Sequence, residues 1–180
     1  MHIPKYLFSF DAEADGLTGD IFAIGVVILD WNGNIIDQFS GVAESAKVED
    51  QWVKDNVIAH TNKLPQYNTR QELRNAFWEF WIKYKLNSLP LADVGVPVEA
   101  NLILKTINDD PKTRSFKGPY PLYDVSAFLL TVGLDPIRVK RKDFVERSDL
   151  KDHNPVDDAL ASGLTVIKLR KEFNLLNFEK

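Results

Sequence analysis

A chain of 180 residues that is 44% hydrophobic and 27% charged has the size and make-up of one ordinary globular domain. It has no cysteine, which excludes a disulfide framework, a thiolate metal site and a cysteine nucleophile. Its formal charge of −4 argues against a broad basic surface for nucleic acid, but not against an acidic centre that gathers divalent cations.

The opening MHIPKYLFSFDAE has only a short apolar run, broken at Ser9, and does not read as a signal peptide. No stretch approaches the ~20 apolar residues that span a bilayer, so no membrane partner and a cytoplasmic setting are expected. KYLFSFDAE (5–13) is apolar and aromatic, a strand, and DIFAIGVVILDW (20–31) is a second, nearly continuous apolar run. The NGN turn (32–34) then leads into a third strand, IIDQFSGVAE (35–44). Leu73, Ala76, Phe77, Phe80, Trp81 and Tyr84 recur at helical spacing and form one apolar face. LPLADVG (89–95) reads as a buried strand, VEANLILKTI (98–107) as a helix, PYPLYD (119–124) as a fifth short strand and DVSAFLLTVG (124–133) as a helix. The last helix has a clear start, with Asn154 as N-cap and Pro155 in the first turn. Three strands in series followed by alternating helices and strands predict an α/β fold, a mixed five-stranded sheet flanked by helices, with residues 1–180 as one unit.

Asp11 and Glu13 stand two apart at the end of the first strand, which puts both carboxylates on one face of the sheet. Two acids a few Å apart repel by roughly 4 kcal/mol at an effective dielectric of 20. They need a cation, a basic partner or a raised pKa, unless they belong to a solvated turn with Asp15 and Gly16. At the other end, His153 lies just before the capped helix and Asp158 in its early turns, where the helix dipole is positive. Asp157 and Asp158 point about 100° apart on the helix, so only one of them can face an acidic centre. His2 and His60 have no such company and are assigned no role.

The string FDAEADGL (10–17), the Ile24-Gly25 pair and HNPVDDALASG (153–163) together resemble the histidine-containing (DEDDh) branch of the DEDD exonuclease superfamily. In that branch Asp-x-Glu closes the first strand, and a histidine precedes the last aspartate by five positions. That spacing, counted from His153, picks Asp158 and leaves Asp157 to helix-start electrostatics. The resemblance implies a ribonuclease-H-like fold and a 3′→5′ exonuclease that releases 5′-mononucleotides. It implies two divalent ions, Mg²⁺ or Mn²⁺, held by Asp11, Glu13, Glu99 and Asp158, which activate water and stabilise the leaving 3′ oxygen. His153 is the implied general base. Glu99 enters because aligning LPLADVGVPVEANLIL (89–104) with the family's strand and helix puts it where an aspartate usually stands. Gly95 and Val98 then replace the usual Asn and Phe, and Asp93 is the competing acid.

Leu17 and Phe10 are the implied apolar residues for the terminal base of a single-stranded 3′ end, whether DNA or RNA. Some family members pair, which makes a homodimer an expectation. RVKRK (138–142) reads either as a solvated loop or as a phosphate-contacting flap, and Trp52 as a core residue with a groove wall as the alternative. Two other readings remain open. One is a ribonuclease-H-type endonuclease, the other a weakly active or non-catalytic nuclease-like module that binds nucleic acid or a polymerase.

Overall fold

The computed structural model describes residues 4–44 and 47–176. His2 lies outside them. Six strands form one mixed sheet in the order β4-β3-β2-β1-β5-β6. β1 (Tyr6–Ala14), β2 (Ile21–Asp30) and β3 (Ile35–Ala43) make the antiparallel meander expected from the sequence. β5 (Ser88–Ala92) and β6 (Tyr123–Asp124) extend it in parallel on the β1 side. The sheet is therefore one strand larger than the five expected. The addition, β4 (Gln66–Tyr67), pairs parallel to the end of β3 and is too short to leave a periodic signal.

Helices cover both faces. α3 (Arg70–Tyr84) and α4 (Ala100–Asn108) lie on one side; α8 (Pro155–Phe173) crosses β1 and β2 on the other, with α6 (Val125–Thr131) beside it. The described residues also include the shorter α-helices α1 (Gln51–Asn56), α2 (Ile58–Thr61), α5 (Pro111–Arg114) and α7 (Arg141–Phe144), a 3-10 turn (Lys85–Asn87) and a π-type turn (Gly95–Glu99) that leads into α4.

The alternation of β1 divides the two cores. Phe8, Phe10 and Ala12 point toward α3 and α4, where they pack with Phe77, Trp81 and Leu102. Leu7 points the other way, toward α8, and the Ser9 hydroxyl on that face donates to the Ala159 carbonyl at 2.6 Å. β2 is buried on both faces from Ile21 to Leu29, which is why its sequence is a continuous apolar run rather than an alternating one.

Two glycines let α8 lie against the sheet. A Cβ on Gly25 would sit 2.2 Å from the Pro155 carbonyl carbon, and one on Gly163 would sit 2.5 Å from Leu29 Cδ1. Asn154 caps the helix as the sequence predicts, its side-chain oxygen accepting the N–H groups of Val156 and Asp157. The start of α8 is thereby pinned over the strand position where Gly25 pairs with Asp11.

Candidate active site

Asp11 and Glu13 project from the end of β1 on the α8 face, with a register shift in the β1–β2 ladder immediately after Glu13. Asp158, in the first turn of α8, meets them: carboxylate oxygens of these three residues all lie within 4.8 Å of one another. The Asp158 carboxylate also accepts the backbone N–H of His153.

Glu99 reaches the same region from the turn that opens α4. β1 pairs with β5 only from Tyr6 to Ser9, so its edge is open beyond that point. The Glu99 carboxylate fills the gap by accepting the Ala12 N–H, and it also accepts its own N–H. It is 6% exposed. It stands outside the tight trio, yet its charge contributes to raising the pKa of both Asp11 and Glu13.

Asp93, the competing acid, is occupied differently. Arg141 donates to its carboxylate at 2.7 Å, and its backbone carbonyl accepts both the N–H and the hydroxyl of Ser126. Arg141 also binds the carbonyls of Pro136 and Val139, tying the 136–141 loop to the end of β5.

The electrostatics are those of a site missing positive charge. Burial, reinforced by Asp158 and Glu99, pushes the Glu13 carboxyl up to about 8. Burial likewise raises Glu99 to about 7, with Asp93 and Asp124 adding to it. Asp158 rises to about 7 through burial and the nearby Asp152, Asp157 and Asp93. Asp11 is driven well above the carboxylate range by burial, then by Glu13, Glu99 and Asp158. Among the described residues, none of these four acids forms an ion pair. Two charges 4.8 Å apart repel by about 3 kcal/mol at an effective dielectric of 20, so several cannot ionise together without a cation. The donors are all carboxylate oxygens, the set that suits Mg²⁺ or Mn²⁺ and not a soft metal. The residues fit a divalent-ion centre.

A cleft of about 680 Å³ opens over this cluster, lined by Asp11, Asp158 and His153 on one side and by Lys140, Arg141 and Lys142 on the other. The basic run expected to be either loop or flap is thus a wall of the cleft. Part of its charge is already committed, Arg141 to Asp93 and Lys142 to Asp152 at 2.6 Å. His153 has the left-handed backbone angle φ 61°, and its ring meets Trp52 edge-to-face at 5.2 Å.

A second hollow of about 280 Å³ adjoins Glu13 and is lined by Leu17, Trp52, Val53 and Val98. Leu17 is 71% exposed there. Two expectations need correction. Phe10 is fully buried, its ring 5.6 Å from Phe77, so it has no surface to offer a base. The reason is the period of the strand: the neighbour of Asp11 must face the opposite side of the sheet. Trp52 is not a core residue but 56% exposed, standing between the hollow and His153. The sequence reading also missed the strut beneath it. The Asp15 carboxylate, in the turn after β1, accepts the N–H groups of Glu49 and Asp50 and holds the start of α1.

No family model matches the chain, and no curated protein does. Solved structures do. The nuclease domain of 3′hExo, a DEDDh family member bound to rAMP, is 13% identical and superposes with a TM-score of 0.58, covering 98% of this chain and 96% of that one. The E. coli ExoI–ssDNA complex, in its zinc-bound form, is 10% identical with a TM-score of 0.68 over 97% of this chain and 42% of its own. Exonuclease X in complex with 5′ overhanging duplex DNA is 13% identical with a TM-score of 0.54, over 94% and 92%. The chain has the ribonuclease-H-like fold of the DEDDh exonucleases.

Proposed function

We propose, from a chain that carries the DEDDh exonuclease fold, that it is a metal-dependent 3′→5′ exonuclease acting on single-stranded ends of nucleic acid. One observation carries this reading: Asp11, Glu13 and Asp158 converge without a counter-charge at the end of β1, with His153 on the rim of the same cleft. A structural role does not call for buried like charges, since carboxylates brought together and left unpaired destabilise the fold that holds them.

Asp11, Glu13, Glu99 and Asp158 would hold two divalent ions, which supply Lewis-acid activation of the attacking water and neutralise the charge that develops on the phosphate and leaving oxygen. His153, on the loop before α8, takes the proton from the attacking water as general base. Leu17 gives the terminal base an apolar surface beside Glu13, which favours an unpaired end that can be splayed onto it. Lys140 and Lys142 face the cleft where the phosphates of the following nucleotides run. The product of each cycle is a 5′-mononucleotide and a strand shorter by one.

Single-stranded DNA and RNA labelled at the 3′ terminus, incubated with Mg²⁺, Mn²⁺ or EDTA, test this. Labelled mononucleotide released first, only with metal, is expected. Internal fragments from the start would make the protein an endonuclease, and binding without cleavage would make it a recognition module.

A further inference from the structure

We propose that Trp52 is a positioning residue for His153: it fixes the orientation of the imidazole through an edge-to-face contact, in the place where a general base more often leans on a hydrogen-bonding partner. The inference rests on the reading of His153 as the base.

A general base works when a third group orients it. The backbone of His153 is already fixed, by its N–H bond to the Asp158 carboxylate and by the Asn154 cap that follows. Its side-chain torsions are not set by that. Among the described residues neither imidazole nitrogen has a hydrogen-bond partner, and the adjacent Asp152 carboxylate is bound to Lys142. The ring's aromatic neighbour is Trp52, with centroids 5.2 Å apart and planes at 89°, the arrangement in which a positive ring edge meets a negative ring face.

Trp52 can act this way because its own support is rigid. α1 is anchored below by Val53, buried with Phe22, Ala23, Val42 and Val57. Its first turn is capped by Asp50, which accepts the Val53 N–H at 3.0 Å. Asp15 then straps Glu49 and Asp50 to the turn that follows Glu13. One side chain in the acidic motif thus fixes the platform that aims the histidine, although α1 and α8 belong to distant parts of the chain. An exposed tryptophan is also the residue whose removal disturbs the core least.

Trp52→Leu keeps an apolar wall and removes the aromatic ring, whereas Trp52→Phe keeps one. Misorientation of a reacting group is felt in turnover, so Trp52→Leu is expected to lower kcat about tenfold or more with KM little changed, and Trp52→Phe to keep most activity. In a His153→Ala background Trp52→Leu should cost nothing further, because its effect runs through the imidazole. Melting temperature and its rise with Mn²⁺ should match the wild type. Independently of activity, the carbon-bound imidazole protons of His153 should shift in the NMR spectrum of Trp52→Leu without metal or substrate.

An undiminished cost in the His153→Ala background, or a raised KM at unchanged kcat, would assign Trp52 to holding the terminal base alone and overturn the proposal. Unmoved His153 signals would overturn it as well, and that arm decides even if the wild type degrades no substrate, which is instead the failure of the exonuclease reading.

Discussion

At the scale of single residues, the two middle acids make the sharpest contrast. Glu99 has its carboxylate on the open edge of β1 and its charge felt by Asp11 and Glu13, while Asp93 is held by Arg141. Glu99→Gln is therefore expected to lose hydrolysis and weaken Mn²⁺ binding. Asp93→Asn should lose much less of both, its cost falling on the tether of the 136–141 loop. Isothermal titration with Mn²⁺ and a degradation assay on the two variants check this, and equal metal affinity for Glu99→Gln and wild type would remove Glu99 from the centre. Asp158→Asn carries a second expectation. Hydrolysis should be abolished, yet the metal-free melting temperature should rise, because one of three mutually repelling charges is gone. Calorimetry in EDTA reads the sign, and a fall would mean that the acids are not the source of strain. Strand period puts the acids at 11 and 13 on one face, but reading them as a site, and choosing Asp158 over Asp157, rests on the motifs and spacing of the family the sequence resembles. Phe10 was misplaced although the same period-2 rule, applied to the neighbour of Asp11, sends it to the opposite core.

Between elements, the closest approach that builds the site is that of α8 to β2. Gly25 touches the first turn of α8 where Pro155 and Val156 begin it, three residues before Asp158. Gly25→Ala must push the helix start away from the sheet, and overpacking of this kind costs typically 1–3 kcal/mol. The expected result is a lower melting temperature together with a loss of activity larger than the stability change accounts for, since the Asp158 carboxylate moves with its helix. A variant that melts low but retains its turnover at a permissive temperature would show that the helix start tolerates displacement. Long elements such as the β1–β3 meander, α3 and α8 announce themselves through periodicity and caps. α1, α2, α5 and α7 are four to six residues each, less than two turns, and carry no periodic stripe that a sequence can display. Hydropathy says that Trp52 is apolar but not that its face is left open, because that depends on how α1 is strapped by Asp15, a contact across 34 and 35 positions. The partition of the basic run, with Arg141 spent on Asp93 and Lys140 left to line the cleft, is hidden for the same reason.

For the molecule as a whole, the raised acids couple folding to pH and to metal in one window. Glu13 holds its proton in the folded chain up to about pH 8, Glu99 and Asp158 up to about pH 7, and Asp11 is raised well above the carboxylate range, whereas in the unfolded chain all four release their protons near the ordinary carboxylate values. Across roughly pH 4.5–8 the folded state thus binds more protons than the unfolded state, and stability falls as pH rises. Acids with lowered values, such as Asp15, Asp20 and Asp37, have the opposite sign, but their contribution is already complete above about pH 4 and leaves this window unchanged. A divalent ion binds the deprotonated cluster, so its stabilisation grows over the same interval. The melting temperature in EDTA is expected to decline from pH 5 to pH 8, while saturating Mn²⁺ should flatten or reverse the slope, with the gap between the two curves widest at pH 8. Glu13→Gln should shrink both the EDTA slope and the Mn²⁺ gap, because it removes one of the protons that the folded state retains and one of the oxygens that replace it. Scanning calorimetry of both proteins at four pH values, with and without Mn²⁺, reads these slopes directly. A wild-type melting temperature in EDTA that stays level or climbs between pH 5 and 8 would mean the four acids are solvated rather than buried together, and the divalent-ion centre would lose its physical basis.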